Sequence, residues 1–163
     1  MDLKMRLLKA MQSSFDTLSN STDWKQRENL ECAVRILPKA TRSYVINATG
    51  DCCKGDNILF IKRIWSRKAI NRFGKLANVV TGYEWVEGEI INDSYGQDKQ
   101  QHTFTILLTQ GEKLLIKGRN LYAVGVWRKQ WVDENERKIA LSEKYARGKS
   151  ARQAKYDRLE HYY

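Results

Sequence analysis

From residue 41 to residue 130 turn-forming residues cut the chain into short strand-like runs, and this spacing constrains the fold more than any other feature. The runs cover 43–48, 57–65, 84–92, 102–109 and 113–117, with a shorter sixth at 123–127. Turn signals lie between them: Gly50-Asp51, Lys54-Gly55-Asp56, the polar stretch 93–99, and Gln110-Gly111. In the fourth run His102, Phe104, Ile106 and Leu108 fall on one side, and Thr103, Thr105 and Leu107 on the other. In the fifth, Leu114 and Ile116 face inward while Lys113 and Lys117 face outward. A period of two with one apolar side is the pattern of half-buried antiparallel strands.

Five or six short antiparallel strands bury one face by curling into a small barrel. The segment Gly118-Arg119-Asn120-Leu121-Tyr122, just before the last short run, fits the tight helical turn of such barrels. The layout resembles an SH3-type small barrel, in architecture rather than in any signature motif. It implies an α+β fold with three parts: an N-terminal helical segment (1–40) packing on the core, a small antiparallel SH3-like β-barrel of about five or six strands (41–130), and a C-terminal basic helix or tail (131–163). Small barrels host both protein-binding and nucleic-acid-binding functions, so the fold alone selects neither.

The flanks read as helical. Leu3, Leu7, Leu8, Met11, Phe15 and Leu18 recur at spacings of three and four over residues 1–18. A second helix, capped by Asp23 with Gln26 three residues on, carries Leu30, Ala33, Val34 and Leu37 and stops at Pro38, the single proline. Beyond Trp131, Asp133 and Glu136 open a long C-terminal helix, with acidic residues first and basic ones following, as the helix dipole favours. Gly148 is the expected point of bending or fraying.

Nothing in the chain supplies a recognisable catalytic apparatus. Nucleophilic or acid–base chemistry needs a nucleophile, a base and an orienting group held together. The two imidazoles are His161, close to the end of the sequence, and His102, which opens a strand on its apolar side and reads as a structural histidine. There is no G-x-S-x-G, no phosphate-binding glycine loop and no E-x-K strand pattern of the nuclease type. Metal binding is not expected either. Cys32, Cys52, Cys53 and His102 are the available donors, but adjacent cysteines point apart, whereas zinc sites use cysteines two to four residues apart. Three cysteines, two of them adjacent, do not make a disulfide framework, so the expectation is a protein of the reducing cytoplasm with no cofactor and no metal. Lys4, Arg6 and Lys9 interrupt the apolar residues of the N-terminus, which excludes a signal-peptide core or membrane span there.

Charge says more. Lys and Arg number 29 against 19 acidic residues, a net charge of +10 that favours polyanionic partners. Between Asp56 and Glu84 no acidic residue occurs, while Lys62, Arg63, Arg67, Lys68, Arg72 and Lys75 are basic and Trp65 and Phe73 are interleaved. This segment, with 66–82 read as a long loop, is the expected main contact with a phosphate backbone. A second cluster lies on the C-terminal helix. At about 100° per residue, Lys144, Arg147, Arg152, Lys155 and Arg158 share an arc of about 140°. Lys117 and Arg119, with Arg128 and Lys129, form a third group around Tyr122 and Trp127.

The sequence therefore predicts a non-enzymatic nucleic-acid-binding protein that contacts DNA in preference to RNA, because two separated basic elements can straddle one backbone. Its contact residues would be Lys62, Arg63, Arg67, Lys68, Arg72, Lys75, Lys117, Arg119, Lys144, Arg147, Arg152, Lys155 and Arg158, with Trp65, Phe73, Tyr122 and Trp127 as aromatic contacts. The rival reading is a protein-binding adaptor or inhibitor, of phage or plasmid type, that uses its tryptophans to engage an acidic partner, a host nucleic-acid-handling protein or a defence protein. A membrane partner is not expected, since the basic helix lacks an apolar face opposite its charges.

Overall fold

The structure, a computed structural model, describes residues 43–70, 74–95 and 102–160. The expected N-terminal helices lie outside the described residues, as do Cys32, Arg72, Phe73 and His161. The elements in chain order are β1 (Tyr44–Asn47), β2 (Asn57–Ile70), β3 (Leu76–Tyr95), β4 (His102–Leu108), β5 (Lys113–Lys117), α1 (Gly118–Leu121), β6 (Val126–Lys129) and α2 (Glu134–Glu160).

All six strands join one antiparallel sheet in the order β1-β6-β2-β3-β4-β5. The expected closed barrel is not formed. β1 and β5 remain the two edges of an open sheet, and the described residues are mostly strand with one long C-terminal helix rather than a helix-flanked barrel. The sheet curls instead around a core made by Ile58 and Phe60 of β2, Ile90 of β3, Phe104 and Ile106 of β4, Ile116 of β5 and Val126 of β6. Leu121 of α1, fully buried, enters the same core. α1 packs against β2, β4 and β5, so a helical turn takes the place that strand-to-strand closure would have filled.

β2 is covered on both sides, which is why its apolar run Ile58-Leu59-Phe60-Ile61 does not alternate. Leu59 packs with Tyr44, Trp85 and Trp127, and Ile61 with Val124, Tyr83 and Trp85. The β2–β3 ladder runs from Asn57↔Glu89 out to Ile70↔Leu76, with register shifts at Ile64/Trp65 and Arg67/Ala69. The predicted loop at 66–82 is therefore largely two paired strands, joined through residues 71–75.

α2 is fastened to the sheet by polar groups. The expected Asp133 cap forms, its Oδ1 accepting from the Asn135 N–H at 2.8 Å. Glu134 accepts both guanidinium nitrogens of the buried Arg128 (2.8 and 2.9 Å) and the Trp131 N–H. The Arg128 hydrogen bond is the main reason its carboxyl is pulled down to about 2. The Trp131 indole lies over Gly55, where φ is +94° and a Cβ would sit 2.6 Å from the ring. Further along, Gly148 is buried against Tyr95, whose Oη would be 2.8 Å from an added Cβ. The glycine read as a weak point is a close-packing point.

Candidate nucleic-acid interface

β2 and β5 are separated by β3 and β4 in the sheet, but its curl brings them across a cleft of about 300 Å³. Lys62, Arg63 and Trp65 of β2 line one wall, Leu114, Leu115, Ile116 and Lys117 of β5 the other, and Arg119 and Asn120 of α1 complete it. Consecutive strand residues normally point to opposite faces. Arg63 and Trp65 are two positions apart, and the β2–β3 register shifts between Ile64 and Trp65.

Within the cleft, Lys62 Nζ lies 2.6 Å from Oε1 of Glu84, its direct cross-strand partner. The Arg63 guanidinium lies over the Trp65 ring at 5.6 Å, a cation–π contact that holds an indole still 47% exposed. Among the described residues, the side chains of Arg63, Lys117 and Arg119 form no ion pair. Lys62 and Leu114 also line an adjoining cleft of about 390 Å³ that adds Glu84, Trp85, Glu87, Thr109 and Gln110. A groove thus runs from a cationic end at Lys117 and Arg119 to an acidic and amide end at Glu84, Glu87 and Gln110.

Four of the predicted cations and one predicted aromatic meet here. The others are distributed differently. Arg67 and Lys68 belong to the outer half of β2, Lys75 is exposed just before β3, and Arg72 and Phe73 lie outside the described residues. Tyr122 is partly buried against the core and Trp127 is buried, so neither lines the cleft. Tyr122 packs edge-on against Phe104, its hydroxyl accepting the Cys52 N–H at 3.2 Å, and burial pushes its pKa up. Trp127 is buried against Trp85, with ring centres 6.1 Å apart.

The helical stripe splits in two. Lys144 is 3% exposed and donates to the Cys52 carbonyl at 2.6 Å, and burial lowers its pKa. Arg147 donates to the Asp93 carboxylate (2.7 Å) and carbonyl (3.1 Å). Lys144 ties the helix to the β1–β2 connection and Arg147 ties it to β3. Arg152, Lys155 and Arg158 are exposed on the part of α2 beyond Gly148. Asp93 also accepts from, or pairs with, His102 Nε2 at 3.4 Å. Burial works to raise its pKa, but His102 and Arg147 together hold it below the usual carboxylate range. His102 stacks flat on Tyr95 at 4.5 Å and leans on Phe104.

The cysteines are occupied by the fold. Cys52 Sγ donates to the Ala48 carbonyl at 3.2 Å, and burial pushes both the Cys52 and Cys53 thiols up to about 12, which disfavours the thiolate a metal needs. Among the described residues no three His, Cys, Asp or Glu side chains converge in a metal-binding arrangement, and no helix is long and apolar enough to cross a membrane.

Residues 53–131 match a family described as a domain of unknown function (DUF7699). That span includes both walls of the cleft and ends at Trp131, the residue seated on Gly55. A rice (Oryza sativa subsp. japonica) protein, zinc finger CCCH domain-containing protein 62, is 45% identical over 127 residues, covering 72% of this chain. The chain spans only 18% of that relative's length. No solved structure matches.

Proposed function

We propose that this chain is a non-catalytic nucleic-acid-binding module whose contact surface is the cleft between β2 and β5–α1. The observation that carries the proposal is the meeting of Lys62, Arg63, Lys117 and Arg119, from segments far apart in sequence, around an exposed tryptophan. Three of these cations, Arg63, Lys117 and Arg119, have no carboxylate partner among the described residues, and cations of that kind beside an open aromatic face are what a phosphate backbone and its bases require. The unbalanced charge of +10 supplies long-range attraction to the same ligand. A relative named for a zinc finger is in keeping with this reading, since zinc-bearing modules recur in nucleic-acid-binding proteins. The argument for duplex DNA weakens, because Lys144 and Arg147 of the helical stripe are committed to the Cys52 carbonyl and to Asp93.

The test is fluorescence anisotropy of labelled oligonucleotides over a range of salt concentration. Three or four neutralised phosphates give a slope of log affinity against log salt of about −2 to −3. The double variant K117A/R119A should bind more weakly and reduce the slope by about one to two. Affinity that is independent of salt, or unchanged in that variant, removes the cleft as the contact surface. A second reading, contact with a protein, is favoured by one observation: Ile139, Tyr145, Tyr156 and Leu159 stand exposed on α2.

A further inference from the structure

We infer that the ligand of this cleft is a single strand of nucleic acid, with one base stacked on Trp65 and the neighbouring phosphates held by Lys117 and Arg119. The inference rests on the nucleic-acid reading above and narrows it to one physical form of the ligand.

Three observations carry it. Trp65 is 47% exposed and held by Arg63 at 5.6 Å, so an indole is fixed in place with part of its surface open. Stacking on such a ring requires an unpaired base, which a duplex keeps inside its own stack. The cleft itself, about 300 Å³ between two strand walls, admits a base but lets a double helix touch only its rim. Finally, the groove is polarised. Phosphates are attracted at the Lys117–Arg119 end, whereas at the other end Glu84 is paired with Lys62 and Glu87 with Tyr44 and Lys129, so no net pull on phosphate is left there. Carboxylates suit the exocyclic amino groups of bases, which donate hydrogen bonds. A strand that keeps its backbone on the cationic rim and turns its bases inward satisfies both ends at once, and a base-paired strand cannot turn them.

The experiment uses the full chain and short labelled oligonucleotides of one sequence as single-stranded DNA, single-stranded RNA and the two duplexes. The expected result is at least about tenfold tighter binding of single strands than of duplexes, in one or both sugar types. W65A should weaken single-strand binding by about 5- to 100-fold, and W65F should retain most of it. Circular dichroism of both variants checks that the sheet is intact. Equal affinity for duplex and single strand, or no effect of W65A while K117A/R119A abolishes binding, overturns the single-strand inference and leaves the nucleic-acid reading standing. Absence of binding to all four oligonucleotides overturns both.

Discussion

Arg137, in the first turns of α2, donates from Nε to Oδ1 of Asp56 at 2.8 Å and from a terminal nitrogen to Oδ2 at 3.0 Å, across 81 residues of sequence and with both side chains buried. Asp56 also accepts the Trp131 indole N–H at 2.8 Å and the Cys53 N–H at 2.9 Å. Every lone-pair direction of this carboxylate is thereby used, which is the condition for a charge to be tolerated at zero exposure.

The first prediction follows from that pair. R137A leaves a buried carboxylate without its counter-charge and should lower unfolding free energy by about 3–5 kcal/mol. D56A should also destabilise, by removing the main partner of a guanidinium that keeps the Asp51 carbonyl at 2.9 Å and its carboxylate at 3.7 Å, and the double variant should lose less than the two singles together. Urea unfolding followed by tryptophan fluorescence measures all three. A loss under about 1 kcal/mol in both single variants would show that α2 docks without the pair.

Gly148 provides the second. In an exposed helix, Gly→Ala is stabilising by about 1 kcal/mol. Here the new Cβ would fall 2.8 Å from Tyr95 Oη and 2.9 Å from Cζ, and the Tyr95 ring is stacked on His102 and not free to retreat. G148A should therefore destabilise, by about 1–3 kcal/mol. Y95F removes the nearest clashing atom and should restore part of that loss. Thermal melts of the three variants decide it, and a raised melting temperature for G148A alone counts against this packing.

The fold was partly legible, for reasons that differ by element. β4 and β5 follow strict alternation with one face on the core, so the sequence locates them within one residue. The outer halves of β2 and β3 read as loop because residues such as Lys68 and Asn78 have low strand propensity. Their pairing comes from the backbone ladder of a long hairpin, and the β-branched Val79-Val80-Thr81 was the one local signal for it. Strand number was readable but closure was not, since closure depends on whether the edges meet in space. For the site, charge pattern identified Lys62, Arg63, Lys117 and Arg119, but only the curl of the sheet sets them in one cleft. The same pattern grouped the buried Lys144 with exposed cations: a helical arc shows which residues share a face, not which of them meet solvent. Asp56 read as an ordinary turn residue, because its partners Trp131 and Arg137 are 75 and 81 positions away.

The third prediction is a pH dependence. Burial raises the Cys52 and Cys53 thiols from an ordinary value near 9 to about 12, so the folded state holds these protons more tightly than the unfolded chain. Stability from this source is complete below the unfolded value and declines as pH rises from about 9 towards 12. Midpoints of urea unfolding should fall over that range, and less so in a C52A/C53A variant. At neutral pH both thiols should resist a thiol-reactive dye until urea unfolds the sheet. Rapid labelling of the native protein would show that they are not enclosed.

The open edge at β5 has a consequence for colloidal behaviour. The strand hydrogen-bonds to β4 on one side and, among the described residues, to no strand on the other, and it displays Leu115 at 69% exposure. A free edge of this kind is a template on which a second molecule can lay its own strand. Lys113 and Lys117, exposed at its two ends, set like charges against like in any such edge-to-edge approach. Under the proposed function Lys117 would serve twice, in holding ligand and in keeping edges apart. A bound polyanion that neutralised it would also lift the charge barrier, so crowding of protein along a nucleic-acid strand and growth of a shared sheet between molecules would draw on the same residue.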